Sequence, residues 1–245
     1  LEPYVISEPA ANGAKVSTAA GTARTASGDP TFGVAKIAPY ELTTTSYVDR
    51  NISRLTPANY YAKVFGMAMR AMRRDTVGMI FNGDGQSTNE MFGIKTAKNV
   101  AGSTIYASLD VEAVGPDLLT ELMFAYGGDE ELGGNCRLYL NKKDLLALGK
   151  LRGTNEKRRL FDIVPDAGTP NTGTIREGGT IVPYSISSKL TALSASTQGA
   201  AAIQTMVYGD PMNYELGLFG AYTVRVDESV KAVERMLTIL GDAMV

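Results

Sequence analysis

The stretch TPANYYAKVFGMAMRAMRRDTVGMIFNGDGQ, residues 56–86, decides how this chain is read. Thr56 suits a helix N-cap, Pro57 suits the first helical position, and helical spacing then runs to Phe81. About 25 residues at 1.5 Å each give a rod of roughly 37 Å, about twice the usual helix length. Tyr61, Val64, Phe65, Ala68, Met72 and Met79 line one broad face, and Tyr60, Met67, Met69 and Ala71 widen it. An apolar surface that wide calls for contacts on more than one side of the helix. Lys63, Arg70, Arg73 and Arg74 occupy the remaining face.

The Gly83-Asp84-Gly85 that follows invites a phosphate-loop reading, and polarity argues against it. Phosphate loops precede a helix, so that free N–H groups and the positive dipole end meet the anion. Here the glycines follow the helix, at its negative end, and Asp84 adds a further negative charge. No Lys-Ser/Thr pair completes such a loop. The glycines read better as a helix stop.

Composition limits the chemistry further. The 245 residues contain no histidine and one cysteine, Cys136. Ser-His-Asp and Cys-His nucleophile systems are therefore excluded, as are metal sites built on imidazole or several thiolates. No intrachain disulfide can form, which fits an intracellular origin. A formal net charge of −2 gives no global pull toward nucleic acid or membrane. No apolar run approaches the ~20 residues that span a bilayer. The first residues lack the order of a signal peptide, and a leading Leu rather than Met suggests processing or trimming upstream.

Residues 1–36 are rich in Ala, Gly, Ser and Thr, with turn punctuation at Asn12-Gly13, Gly28-Asp29-Pro30 and Gly33. This suits an extended hairpin arm that cannot bury a core alone, with an unstructured N-terminal tail as the competing reading. TSYVDRNIS (45–53) reads as a short helix, and a β-like region follows Gly93. Pro116–Gly127 has helical spacing and ends on two glycines; CRLYL (136–140) is a strand, and Asn141 caps the next helix. The stretch from Leu151 to Gly179 is polar and turn-rich, with strand candidates at 181–187 and 203–209. The last 31 residues read as long strands turning at Asp227-Glu228-Ser229.

The remaining charged groups carry no chemistry by their pattern. Asp129-Glu130-Glu131 is a run rather than a dyad of separate carboxylates, and Lys157-Arg158-Arg159 reads as a solvated loop. Cys136 opens an apolar strand and reads as a small buried hydrophobe. No catalytic, cofactor or metal residue is assigned. The arginine face is left with inter-subunit salt bridging or contact with DNA phosphates as its two uses.

The order of elements resembles the major capsid proteins of tailed bacteriophages, with the Hong Kong 97-like fold. Three segments carry the likeness. The Ala/Gly/Ser-rich arm running into APYELTTTSYVDRNISRL is similar to that family's E-loop. The helix ending in FNGDG, followed by Met91-Phe92-Gly93-Ile94, is similar to its spine helix and following loop, with a family proline missing. Gly209-Asp210 and Tyr214 sit where relatives often carry a Gly-Asp…Tyr signature.

The resemblance implies an α+β fold with a long spine helix, an extended N-terminal arm, an antiparallel peripheral sheet and a mixed axial domain. The arm would cover residues 1–45, the peripheral domain 46–100 and 207–245, and the axial domain 101–206. The family's peripheral sheet continues through another strand where this chain ends at AMV, which leaves truncation of the C-terminus open. The function implied is a structural head protein of a phage or prophage, not an enzyme, assembled in the bacterial host cytoplasm and located in the virion. Its partners would be itself, as hexamers and pentamers, with scaffold and portal proteins and non-specific DNA inside the shell. No membrane contact, cofactor or crosslinking motif is expected. An encapsulin-type compartment shell and a histidine-free hydrolase with two carboxylates are the competing readings.

Overall fold

The computed structural model describes residues 2–7, 29–35, 38–51, 59–85, 91–98, 106–126, 134–193 and 205–245. The chain divides into two units, Leu1–Pro39 and Tyr40–Val245. In the first, strands β1 (Glu2–Ser7) and β2 (Thr31–Ala35) pair antiparallel, with a register shift between Val5 and Ser7. The Phe32 ring stands exposed on β2. Two strands bury too little to be stable by themselves, as the composition of this arm requires.

In the second unit, β3 (Glu41–Asp49), β9 (Thr223–Asp227) and β10 (Met236–Met244) form an antiparallel sheet with β10 in the middle. Period-2 alternation buries Leu237, Ile239 and Ala243 on one face of β10, and Val48 on β3 joins them. Helix α1 (Asn59–Asn82) lies on the sheet and buries Ala68, Met72 and Thr76. Its seat is close: a Cβ added at Gly241 would stand 3.0 Å from the Met72 methyl carbon. The Thr76 hydroxyl shares a 2.8 Å hydrogen bond with the Tyr222 hydroxyl, so this polar side chain is satisfied where it is buried.

The larger sheet has the order β5-β6-β7-β4-β8, from β5 (Asp162–Asp166), β6 (Thr169–Glu177), β7 (Thr180–Ile186), β4 (Arg137–Leu140) and β8 (Val207–Gly209). β4 and β7 are parallel and every other pair is antiparallel. The helices α2 (Leu118–Tyr126) and α3 (Lys142–Lys150) supply Leu119, Leu145 and Leu148 to the core over this sheet. Leu138, Leu140, Ile175, Val182 and Tyr184 meet them from the strands. Asn141 caps α3, accepting from the Lys143 amide at 3.1 Å while its own amide donates to the Leu190 carbonyl at 2.7 Å. Asp144, wholly buried in the first turn, accepts the Leu193 N–H on both carboxylate oxygens at 3.1 Å.

Three readings are corrected. Residues 45–49 are strand, not helix, because TTTSYVD alternates and its β-branched residues pair along β10 from Thr43↔Asp242 to Asp49↔Met236. The polar stretch after Leu151 contains the β5–β6 pair, whose exposed residues hide the alternation; only the inward set, including Ile175, is buried. The helix at 56–81 is observed from Asn59 to Asn82, while Thr56 and Pro57 lie outside the described residues. So do Asn12-Gly13, the turn at Gly28, Val100, Ile105, Gly127, Gly128 and the acidic run Asp129-Glu130-Glu131. Ile94 lies in a 3₁₀ turn rather than a strand.

Candidate functional site

The end of α1 is a junction of backbones. Gly83 donates to the Met79 carbonyl at 2.8 Å, and Gly93 donates to the Gly83 carbonyl at 3.1 Å. Thr96 Oγ1 donates to the same carbonyl at 2.6 Å, so the Gly83 oxygen just past the helix accepts two hydrogen bonds. A Cβ at Gly83 would stand 2.2 Å from the Met91 oxygen, which explains why the helix stops on glycine. Gly85 is glycine for a different reason, its φ of 68°, with the Phe92 ring packed over it. Among the described residues no phosphate cradle forms here: the groups gathered around Gly83 include the Met79 and Met91 carbonyls.

The second signature closes on the first. Asp210 caps a 3₁₀ turn (Pro211–Asn213) through the Met212 amide at 2.9 Å. Gly209 lets the Tyr126 ring approach, and Asn213 donates to the Tyr126 hydroxyl at 3.0 Å. Tyr214 donates its hydroxyl proton to the Phe92 carbonyl at 2.9 Å. Burial pushes the Tyr214 phenol above its ordinary 10.0. These residues lock the strand returning from the larger sheet to the loop at the end of α1, and none of them is arranged for catalysis.

The charged face of α1 is the second feature. Arg70, Arg73, Arg74 and Val77 fall at i, i+3, i+4 and i+7, so they share one side of the helix. Ile186, Ser187, Ser188 and Lys189 face them across an open notch of about 310 Å³. Lys189 fixes that wall: its stem crosses Gly78, its carbonyl accepts from Asn82 Nδ2 at 2.9 Å, and its Nζ meets Asp75 Oδ1 at 2.8 Å. Arg70 is steadied by its Nε bond to the Gly66 carbonyl at 3.1 Å. Among the described residues, Arg70, Arg73 and Arg74 form no ion pair.

Three of the four charges singled out from the sequence are thus brought together. Lys63 is exposed on the same helix but lies two turns before Arg70 and does not line the notch. Lys189 and the two serines were not anticipated; no local pattern reports that residue 189 crosses residue 78. Cys136 is half-buried rather than buried; burial first, and then the Cys136 thiol beside its hydroxyl, raise the Tyr208 phenol. Lys157, Arg158 and Arg159 are exposed. Among the described residues no group of three or more Cys, Asp or Glu is gathered as metal ligands, and no helix is long and apolar enough to cross a membrane.

The model of the Phage capsid family matches residues 3–243. The chain belongs to that family. Its function is structural rather than enzymatic: it is a major capsid protein, its subunits assemble into a capsid, and its place is the virion shell. Solved structures agree on the fold. The chain titled "Capsid of native GTA particle computed with C5 symmetry" is 18% identical, with 99% of this chain and 78% of that chain covered at a TM-score of 0.65. A chain of Gordonia phage Cozz is 12% identical, with 99% and 75% covered and a TM-score of 0.63. A chain of Microbacterium phage Oxtober96 is 16% identical, with 99% and 77% covered and a TM-score of 0.61. No curated protein matches. The α+β class and Hong Kong 97-like capsid fold expected from the sequence are those of this capsid protein. Nothing in the comparisons favours the compartment shell or the hydrolase.

Proposed function

We propose that this capsid protein forms the hexamers and pentamers of an icosahedral head that encloses DNA, assembled in the bacterial cytoplasm with scaffold and portal proteins. The observation that carries the reading is α1: a helix of 24 residues seated on a sheet through Met72 and Thr76, with Met67, Arg73, Arg74 and Val77 exposed. A rod braced on one side and bare on another suits a thin plate whose edges are completed by neighbours. The relative solved with C5 symmetry supports a five-fold ring among the assemblies.

Within this reading, residues 1–45 act as the arm, 46–100 with 207–245 as the peripheral domain, and 101–206 as the axial domain. The arm's Phe32 gains its burial from a neighbouring subunit. Expression with a scaffold protein, followed by gradient sedimentation and negative-stain microscopy, tests the proposal. Closed particles with five- and six-fold units, holding nuclease-resistant DNA when packaging proteins are supplied, are the expected result. Open sheets or tubes under every condition would overturn the icosahedral reading.

A further inference from the structure

Among the described residues nothing fills the notch on α1, and another face of the same chain is opposite to it in charge. Residues 106–126 contain Asp110, Glu112, Asp117 and Glu121, all exposed, and no lysine or arginine. The Asp117 carbonyl accepts the Glu121 amide at 2.9 Å, so Asp117 stands at the head of α2. Asp117, Glu121 and Phe124 therefore fall at i, i+4 and i+7 along one side of the helix, while Leu118 and Leu119 turn into the core. Phe124 is 74% exposed, a large ring left largely uncovered among the described residues.

We propose that the notch receives this acidic, Phe124-bearing face of α2 from a second copy of the chain, which rests on the capsid reading above. Both surfaces repeat at one helical turn, from Arg70 to Arg73 and Arg74 on one and from Asp117 to Glu121 on the other, so one carboxylate can meet Arg70 while the next meets the Arg73-Arg74 pair. The guanidinium fork pairs with a carboxylate through two parallel hydrogen bonds. Val77 and Ile186 give the notch an apolar floor for the ring, and an arginine over a phenyl face adds a cation–π contact.

DNA fits the notch less well. A duplex requires a track of cations along its phosphates. This notch is short, carries Asp75 on its flank and has apolar floor residues that a phosphate backbone does not fill. Because the two faces differ, the contact is head-to-tail and propagates from copy to copy, making a ring where its rotation closes.

Charge reversal tests the contact. Arg73→Glu with Arg74→Glu, and separately Asp117→Lys with Glu121→Lys, should each weaken self-association at least about tenfold by sedimentation velocity, since like charges then face each other. All four side chains are exposed, so circular dichroism and the unfolding midpoint should stay as in the parent chain. An equimolar mixture of the two variants, and a chain carrying all four changes, should regain association. Folded variants that associate like the parent overturn the proposal, as does failure of both rescues. Unchanged association with lost DNA retention in the arginine variant assigns the notch to DNA and likewise overturns it. A parent chain that associates through this contact without closing into shells counts against the icosahedral head alone.

Discussion

The Tyr214 hydroxyl donates to the Phe92 carbonyl at 2.9 Å, which joins the return from the larger sheet to the loop that ends α1. Phe92 itself bridges to Asp84, so this phenol ties the return strand to a backbone pair just beyond the helix. Tyr214→Phe keeps the ring and removes the donor. The expected cost is about 0.5–1.5 kcal/mol, the net worth of such a bond. Urea unfolding with fluorescence detection reads it; an unchanged midpoint would mean that the ring's packing, not the hydroxyl, holds the loop.

Gly83 and Gly85 should fail for separable reasons. Gly83→Ala drives a methyl to 2.2 Å from the Met91 oxygen and 2.7 Å from the Met79 oxygen, both backbone atoms that cannot move aside cheaply. We expect a loss of at least about 1–3 kcal/mol, as for overpacking in a core. At Gly85 the positive φ adds about 1–2 kcal/mol for any L side chain, and the clash there is with the Phe92 ring. Phe92→Ala should therefore rescue part of Gly85→Ala and none of Gly83→Ala. Equal rescue of both in a double-mutant cycle contradicts this division.

The capsid fold was legible where the pattern was long and periodic: α1, the Asn141 cap and the strand-turn-strand after Thr223 lie where the sequence places them. Residues 45–49 misled because their β-branched run gains its meaning only from β10, nearly 200 positions away. The β5–β6 pair was hidden by its polarity, since an exposed edge need not be apolar. Arg70, Arg73 and Arg74 were visible as a helix face, because spacing alone puts them together. The wall opposite was not, since the crossing of Lys189 over Gly78 is a tertiary fact with no local trace.

Alkaline pH should destabilise the fold. Tyr184, Tyr208 and Tyr214 all have phenols raised above 10.0, with burial as the first cause in each. A group whose folded value is raised stabilises fully below its unfolded value and loses that contribution as pH climbs through the folded one. Stability should thus be flat through neutral pH and fall from about pH 10 upward. Tyr214→Phe should flatten part of that fall. An unfolding midpoint insensitive to pH between about 9.5 and 11 would contradict the burial of these phenols.

Asp144 should be structural. Its buried carboxylate receives the Leu193 amide on both oxygens and stands in the first turn of α3, where negative charge is favoured. Asp144→Ala strands a backbone donor, at a cost of about 1–3 kcal/mol. Asp144→Asn leaves one oxygen to accept and should lose less. Hydrogen exchange at Leu193 separates this from general loosening: its amide should lose protection in the alanine variant before the core strands do. Uniform acceleration across β4 and β7 would point to global destabilisation instead.

The seat of α1 on its sheet should behave as one coupled unit. Met72 is 1% exposed and lies over Gly241, where an added methyl would meet the Met72 sulfur at 3.1 Å and Thr44 Cγ2 at 2.6 Å. Met72→Ala opens a cavity and should cost about 2–5 kcal/mol. Gly241→Ala overpacks the same space, at about 1–3 kcal/mol. In the double variant the new methyl occupies room that the shortened side chain vacated, so its cost should fall below the sum of the singles by about 0.5–3 kcal/mol. The Thr44 contact remains, which keeps the compensation partial. Strict additivity would show that Met72 does not sit over Gly241, and the packing of the long helix on the β3-β10-β9 sheet would have to be redrawn.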